Sequence, residues 1–323
     1  MKGSELKRIL ESAYPGANIS LTRFGRASEG ITSHEVLLVD FGLNSSPKQI
    51  ILKAKPPNIL SPKKYDLQKE VEVLKALTEI ERVYVPKVVY ADFSKSLIDR
   101  DFFLMEPIFG KSMADSMREN KSREASLYWT SQIAGVMADV HSSSLECFPF
   151  LKREDYGEYF LSEMNRITDL IRSRFTECKP LRELQLIEEV IEKLKEEKPL
   201  ETDFSLINGD ISPNHIIQKN GRWYVLDWDP SKIGDRSWDL YWFLKGIPDW
   251  NLGITDGVEK LTEAYETNSG QKLKNSAYYR IGAVAFAYVY GVHIIQNDST
   301  HPHRAEIPEL TSRMVGQLEG YVK

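Results

Sequence analysis

Apolar and polar positions change rhythm about a third of the way along the chain. Residues 36–39 and 49–54 are short β-rich apolar runs on either side of FGLNSSPK, whose Gly, Asn and Ser favour turns. They predict a hairpin with a medium-length loop. Within residues 65–80, Leu67, Val71, Leu74 and Leu77 recur at spacings of four, three and three, one face of a helix. Residues 87–92, after Pro86, and residues 102–105 predict two more strands. Beyond Gly110 the pattern is mostly helical, with candidate helices over 125–141, 155–174 and 180–198. The last is dense in Glu and Lys, as a solvated face would be. A compact strand–loop–strand stretch, 204–228, follows, and helices resume at Trp238.

The two ends of the hydropathy range change little. The opening MKGSELKRILESAYPG is too charged for a signal-peptide core and predicts a short amphipathic helix closed by Pro15-Gly16. The most apolar run, 281–295, is fifteen residues long and contains Gly291 and His293. That is too short for a membrane span, so it predicts a buried helix with His293 as a core histidine. The chain is thus expected to be α+β and two-lobed. A small β-rich lobe over residues 1–107 precedes a larger, mainly helical lobe over 108–323, with a hinge near 106–110 and a ligand cleft beside it.

Composition narrows the class. The 323 residues are 41% hydrophobic and 28% charged, an ordinary globular balance. A net charge of −5 argues against a nucleic-acid partner, which would select a basic excess or stripe. Cys147 and Cys178 are expected as free thiols in a reducing cytoplasm, and no Cys/His cluster has zinc-ligand spacing.

The stretch that carries chemistry is INGDISPNHIIQKNGRWYVLDWDPSKIGDRSWDL, residues 207–240. Asp210 follows an apolar strand and Gly209. A loop leads to Asn214 and His215, and KNG turns a hairpin whose return strand ends at Asp227. The hairpin would carry His215 and Asp227 to one end, near Asp210 and Asn214. Two carboxylates beside groups able to bind a hard cation suit Mg²⁺-dependent phosphoryl transfer. One orients and deprotonates a hydroxyl while the other holds the metal that bridges the phosphates.

NGD at 208–210, LDWD at 226–229 and GDRSWDL at 234–240 together resemble the catalytic loop and downstream motifs of the aminoglycoside phosphotransferase and choline kinase family, relatives of the protein kinases. The resemblance implies a protein-kinase-like fold, ATP or GTP as donor, Mg²⁺, and a small-molecule hydroxyl as acceptor. It assigns Asp210 as catalytic base and Asp227 as metal ligand. Asp235 and Asp239 fall on acidic positions that fix the loop and the next helix. Two positions depart from the family pattern: Asn208 replaces a His, and His215 stands five residues after Asp210, where an Asn is usual. Some members, macrolide kinases among them, are similar in carrying His there. A neutral imidazole can ligate metal, so His215 is taken as second ligand in preference to Asn214.

The N-terminal lobe matches in the same order. RASEGITS, 26–33, resembles the phosphate-covering loop, with Ser28, Gly30 and Thr32 as contacts. Lys53 stands where the family carries its phosphate-pairing cation, with Lys55 as fallback. Glu70, preferred to Glu72, matches the helix glutamate that pairs with it. FLMEPIFG, 103–110, resembles the hinge, with the backbone of Glu106 and Ile108 reading the nucleotide base and Met105 facing the pocket. Asp155, Glu158, Glu163, Trp242 and Trp250 are candidate acceptor-pocket residues. The overall expectation is a cytoplasmic monomer or homodimer, binding neither membrane nor nucleic acid. The alternatives are a catalytically degenerate nucleotide-binding pseudokinase and a protein kinase. The second is disfavoured because the sequence has no DFG and no APE, hence no recognisable activation segment, and Gly234 comes only seven positions after Asp227.

Overall fold

A computed structural model describes residues 1–27, 34–55, 66–120, 122–174, 181–245, 257–297 and 307–323. Ser28, Gly30, Thr32, Cys178 and Trp250 lie outside the described residues. The chain forms two compact units. The first is Met1–Ser112 with His215–Asp229, and the second is Met113–Asn214 with Pro230–Lys323. The lobe boundary expected at residue 107 falls shortly before Ser112, where the first stretch of the first unit ends.

The first unit is built on a five-stranded antiparallel sheet. Its strands are β1 (Ile19–Arg26), β2 (Glu35–Leu43), β3 (Ser46–Ala54), β4 (Val88–Asp92) and β5 (Phe102–Met105), in the order β1-β2-β3-β5-β4. The β2–β3 hairpin is tighter than the sequence suggested, because FGL and SPK continue the strands as far as the Leu43–Ser46 pair. Only Asn44 and Ser45 turn, both with positive φ (51° and 68°). Two successive left-handed residues match the right-handed twist of the strands they join. Pro47 is tolerated because it lies beyond the stretch of β3 that pairs with β5, so no ladder bond is lost on that side.

One face of this sheet is covered by α1 (Gly3–Ala13), which buries Leu6, Ile9 and Leu10 against Val39, Phe41, Ile50, Leu52, Ala54, Phe102 and Leu104. The predicted helix break is present: α1 ends at the Tyr14 cap, and Gly16 takes a positive φ of 79°. Helix α2 (Leu67–Thr78) starts at Asp66, whose side chain accepts the Lys69 N–H at 3.0 Å. It buries Leu67, Glu70, Val71, Leu74 and Leu77, the predicted stripe with a carboxylate set into it.

A second, three-stranded sheet completes this unit: β6 (Lys111–Ser112), β8 (Ile216–Lys219) and β9 (Arg222–Val225), with β8 in the middle. Asn220 and Gly221, both with positive φ, make the KNG turn. Gly110 leads into β6 so close to β8 that a Cβ there would lie 1.9 Å from the Gln218 carbonyl oxygen.

The second unit holds the helices α3 (Met113–Glu119), α4 (Arg123–His141), α5 (Tyr156–Arg174), α6 (Leu181–Glu196), α7 (Ser237–Lys245), α8 (Gly257–Ser269), α9 (Ser276–Asn297) and α10 (Ile307–Val322). It also contains the antiparallel pair β7 (Phe204–Ile207) and β10 (Lys232–Asp235). The apolar 281–295 run lies inside α9, against which α5, α6, α7 and α10 pack. His293 is half-buried on it. No helix among the described residues is long and apolar enough to cross a membrane.

Gly110→Ala is expected to destabilise the chain by roughly 1–3 kcal/mol, the usual range for a forced overpacking. The added methyl meets backbone rather than a movable side chain. A urea midpoint equal to wild type would show that β6 can withdraw from β8 without penalty.

Candidate functional site

The first unit gathers one cation among several acids. Leu52 and Ala54 point into the core under α1, so strand alternation turns Lys53 to the opposite face of the sheet. There its ammonium donates to Glu70 Oε1 of α2 at 2.8 Å and to Asp227 Oδ1 at 3.0 Å. Lys55, the fallback, is engaged elsewhere, with Asp101 at 2.5 Å. Glu72, the alternative acid, accepts a long hydrogen bond from Gln68 at 3.4 Å.

Asp227 follows β9 with a φ of 56°, in the left-handed region that Asp tolerates better than most residues. The next residue helps hold it there, since the buried Trp228 donates its N–H to Glu70 Oε1 at 3.4 Å. The β8–β9 register brings the predicted metal pair to one end of the hairpin, where Leu226 N–H donates to the His215 carbonyl at 2.8 Å. Glu106 is exposed, and its N–H is engaged by the Lys87 carbonyl at 2.9 Å. Ile108 is half-buried.

Burial and charge act against each other in this cluster. Burial would lower the Lys53 pKa, but the Asp227 and Glu70 carboxylates outweigh it and hold the ammonium above the ordinary lysine range. Burial would raise Asp227, but Lys53, His215 and His34 together keep it below the usual carboxylate range. Glu70 is the acid that yields. Burial pushes it up to about 7 despite the pull of Lys53. One cation cannot neutralise both acids, and the proton goes to the more deeply buried one.

Two members of this cluster escaped sequence reasoning. His34 is buried beside Lys53 and Asp227, and burial with Lys53 alongside pushes its imidazole down to about 3. Asp229, whose carboxylate accepts the Asp66 N–H at 3.3 Å, is raised by burial. A single histidine in a linear sequence carries no signal of its own. The second acid of LDWD was visible, but only the first matched a known role.

The second unit holds the Asp210 loop. Gly209, with a φ of 85°, turns the chain after β7, and a Cβ on it would lie 2.8 Å from the Pro230 carbonyl oxygen. Asp239 of α7, fully buried, accepts the Asn208 N–H at 2.7 Å and the Gly209 N–H at 2.8 Å. His141 Nε2 lies 3.2 Å from the same carboxylate, and His141 Nδ1 is 2.8 Å from the Tyr265 hydroxyl. Asn208, the residue that replaces the family histidine, accepts the Asp210 N–H on its side-chain oxygen at 3.2 Å. Two indoles reach the same loop: Trp238 Nε1 donates to the Gly209 carbonyl at 3.2 Å and Trp242 Nε1 to Asp210 Oδ1 at 2.6 Å.

Asp235 plays the expected structural part, accepting the Ser237 and Asp203 N–H groups at 2.9 and 3.1 Å and the Asn275 amide at 2.6 Å. The acids suggested for an acceptor pocket are occupied by cations: Lys198 holds Asp155 and Glu158, and Arg166 holds Glu163.

A hard divalent ion shared with nucleotide phosphates needs only one or two protein ligands, with water completing its shell. Asp227 fits that requirement, being a half-buried carboxylate kept ionised by its surroundings, with His215 beside it. Among the described residues, no three or more His, Cys, Asp or Glu side chains gather as a metal-holding group.

The Glu70 shift has a sign that can be measured. A folded-state value of about 7, above the ordinary 4.5, means its contribution is full below 4.5 and is lost as pH rises towards 7. Glu70→Gln cannot ionise and keeps an oxygen for Lys53. It is expected to escape that loss, so wild type should fall relative to the variant by up to about 3 kcal/mol across this window. Urea unfolding without nucleotide or divalent metal measures the difference. Parallel pH profiles would show that Glu70 does not titrate in this window.

Comparison with known proteins places these features in context. The model of the phosphotransferase enzyme family matches residues 37–277. The probable acyl-CoA dehydrogenase IBR3 of Arabidopsis thaliana is 23% identical over 258 residues, covering 78% of this chain and 30% of that protein. Acyl-CoA dehydrogenase family member 10 of Mus musculus is 25% identical over 292 residues, covering 84% of this chain and 26% of that protein. The chain therefore spans less than a third of the length of these curated relatives. Among solved structures, the choline kinase LicA of Streptococcus pneumoniae superposes with a TM-score of 0.65 at 15% identity, covering 98% of this chain and 99% of that one. The GDP and kanamycin complex of APH(2")-IIia superposes with a TM-score of 0.62 at 15% identity, covering 96% of each chain. These likenesses establish the kinase-like fold, and with most of the sequence matched by the family model, the chain belongs to the phosphotransferase enzyme family.

Proposed function

We propose that the chain moves the γ-phosphoryl group of ATP or GTP to a hydroxyl of a small molecule, with Asp210 as the base. The observation that carries this is the buried Lys53 ammonium held between Glu70 and Asp227 at 2.8 and 3.0 Å. A lysine fixed in that way is a point charge ready for phosphate, and the neighbouring ionised carboxylate is ready for a cation. Structures with the same fold that hold AMP or GDP support a nucleotide as donor.

Each residue has a distinct task. The nucleotide-binding lobe is residues 1–107 with the 215–229 hairpin, and the rest of 108–323 forms the acceptor lobe, in a cytoplasmic monomer or homodimer. Ser28, Gly30 and Thr32 cover the phosphates with hydroxyl and backbone donors. With the Glu106 N–H engaged by Lys87, the Glu106 carbonyl and the Ile108 N–H read the base. Asp227 and His215 would hold Mg²⁺, which when bound neutralises charge on the phosphates. Asp210 takes the proton of the attacking hydroxyl as the new O–P bond forms and the bridging P–O bond breaks, releasing the nucleoside diphosphate. The Asn208 and Asp239 bonds to its loop keep that carboxylate in place without taking part in the chemistry.

A candidate acceptor is suggested by a different observation. Proteins named acyl-CoA dehydrogenases contain a segment like this chain within a much longer sequence. That association supports a hydroxylated acyl-CoA as the first acceptor to try, ahead of amino alcohols, sugars and antibiotics.

Thermal unfolding with ATP or GTP, with and without Mg²⁺, tests the donor site. A ligand that binds only the folded chain at 100 times its Kd stabilises it by about 2.7 kcal/mol. A Mg²⁺-dependent rise in Tm is expected for wild type and for Asp210→Asn, and is expected to vanish in Asp227→Asn. In an acceptor screen read by ADP or GDP release, Asp210→Asn should lose roughly 10²–10⁴-fold in kcat. Full turnover in that variant would remove Asp210 as base. No Tm response to any nucleotide with metal would point instead to a degenerate, non-catalytic protein.

A further inference from the structure

The family motif stops at Asp239 and Leu240, and nothing in it accounts for the two tryptophans of α7. Trp238 and Trp242 are four residues apart on a helix, so their side chains lie one above the other on the same face. Their rings are stacked, with centroids 5.1 Å apart and planes 17° from parallel. Phe160 stacks on Trp238 at 5.4 Å, and Phe286 meets Trp238 and Trp242 edge-on at 6.0 and 5.4 Å. Trp238 is 2% exposed and Trp242 8%. Apolar packing alone would be satisfied by phenylalanine at either position. What an indole adds is a directed N–H, and the two N–H groups fall on consecutive residues of the loop: the Gly209 carbonyl at 3.2 Å and Asp210 Oδ1 at 2.6 Å. The second is at the short end for N–H···O, as expected when the acceptor is a carboxylate.

We propose that Trp242 is a positioning residue for Asp210, its indole N–H fixing the rotation of the carboxylate about its last torsion. The terminal torsion of an aspartate is broad when nothing restrains it. Asp239 and Asn208 hold the loop backbone but leave that torsion to be set by a side-chain contact. Trp242 supplies one, and the packing of Trp238 and Phe286 against it prevents the indole itself from turning. Trp238 and the Gly209 carbonyl give the stack a second fixed point on the same loop. This inference rests on Asp210 acting as the base.

Trp242→Phe keeps the ring in the stack and removes only the donor. The indole N–H resonances of the ¹⁵N-labelled chain report the bond directly. The Trp242 signal, assigned by its loss in Trp242→Phe, should move upfield in Asp210→Ala while that of Trp238 moves less. Kinetics report the role, read as ADP or GDP release from the Mg²⁺ nucleotide with the acceptor found in the screen, or with water if none is active. Trp242→Phe should lower kcat about tenfold or more, the loss expected for one hydrogen bond to a charged group, with KM for nucleotide unchanged. The same change made in Asp210→Asn should have no further effect on the residual rate, since the two residues act through one atom.

Wild-type kcat in Trp242→Phe, with Asp210→Asn inactive, would overturn the positioning role and leave the base assignment standing. An equal loss in both backgrounds would make Trp242 a packing residue only. An unmoved Trp242 resonance in Asp210→Ala would remove the hydrogen bond itself. If Asp210→Asn turned over like wild type, the base assignment would fall and this inference with it.

Discussion

The first unit depends on a charge imbalance that burial makes acute. One buried ammonium, on Lys53, faces the buried Glu70 and the half-buried Asp227, with Asp229 nearby. Two acids per buried cation is a costly arrangement, and replacing such a cluster with apolar residues is often neutral or stabilising. It persists here with its excess charge concentrated at Asp227, the one of the three bonded residues whose side chain is substantially exposed. The surplus negative charge is therefore located where a cation can enter. Glu70 has a different part. It is deeply buried, accepts from both Lys53 and the Trp228 backbone, and ties β3 and α2 to the chain that carries Asp227.

The second unit solves the same problem in another way. Asp239 is as buried as Glu70, yet its carboxylate is satisfied mainly by backbone amides, those of Asn208 and Gly209, with His141 as a third neighbour. Oriented N–H groups satisfy the buried carboxylate oxygens, and they hold the loop geometry as they do so. Asn208 completes the loop by bonding two residues ahead, a local turn that its short amide suits well. The substitution of asparagine for the family histidine thus leaves the loop braced. The bracing differs from what a histidine would supply, but it is internally consistent.

Fold class and family were legible because they rest on patterns repeated across many residues: the hairpin alternation, the α2 stripe, the apolar α9 run and three motifs in fixed order. Lys53, Glu70 and Asp227 could be named because each sits within such a pattern. The structure brings them within hydrogen-bonding distance although 174 residues separate the first from the last. What escaped was local or depended on exact packing. The Asn44-Ser45 turn was hidden because FGL and SPK look like loop but pair as strand. No sequence motif marked His34. Trp242 was visible only as a candidate pocket-lining aromatic, and nothing in a linear string shows that its indole meets Asp210. The acids at 155, 158 and 163 invited the same inference; Arg166, three residues after Glu163 on one helix, was a legible partner, but Lys198, which holds the other two, lies some forty residues away.

The discontinuity of the first unit has a consequence for how the chain reaches its folded form. Met1–Ser112 carries the five-stranded sheet, but the hairpin that brings Asp227 to Lys53 belongs to His215–Asp229. A ribosome that has released only the first stretch has made a sheet whose buried lysine lacks one of its two carboxylates. The unit cannot close until the intervening helical residues have also emerged. Joining positions so far apart along the chain is a slow, high-contact-order event compared with forming either hairpin or any single helix. The ionic centre therefore cannot be complete before the chain has been synthesised through Asp227.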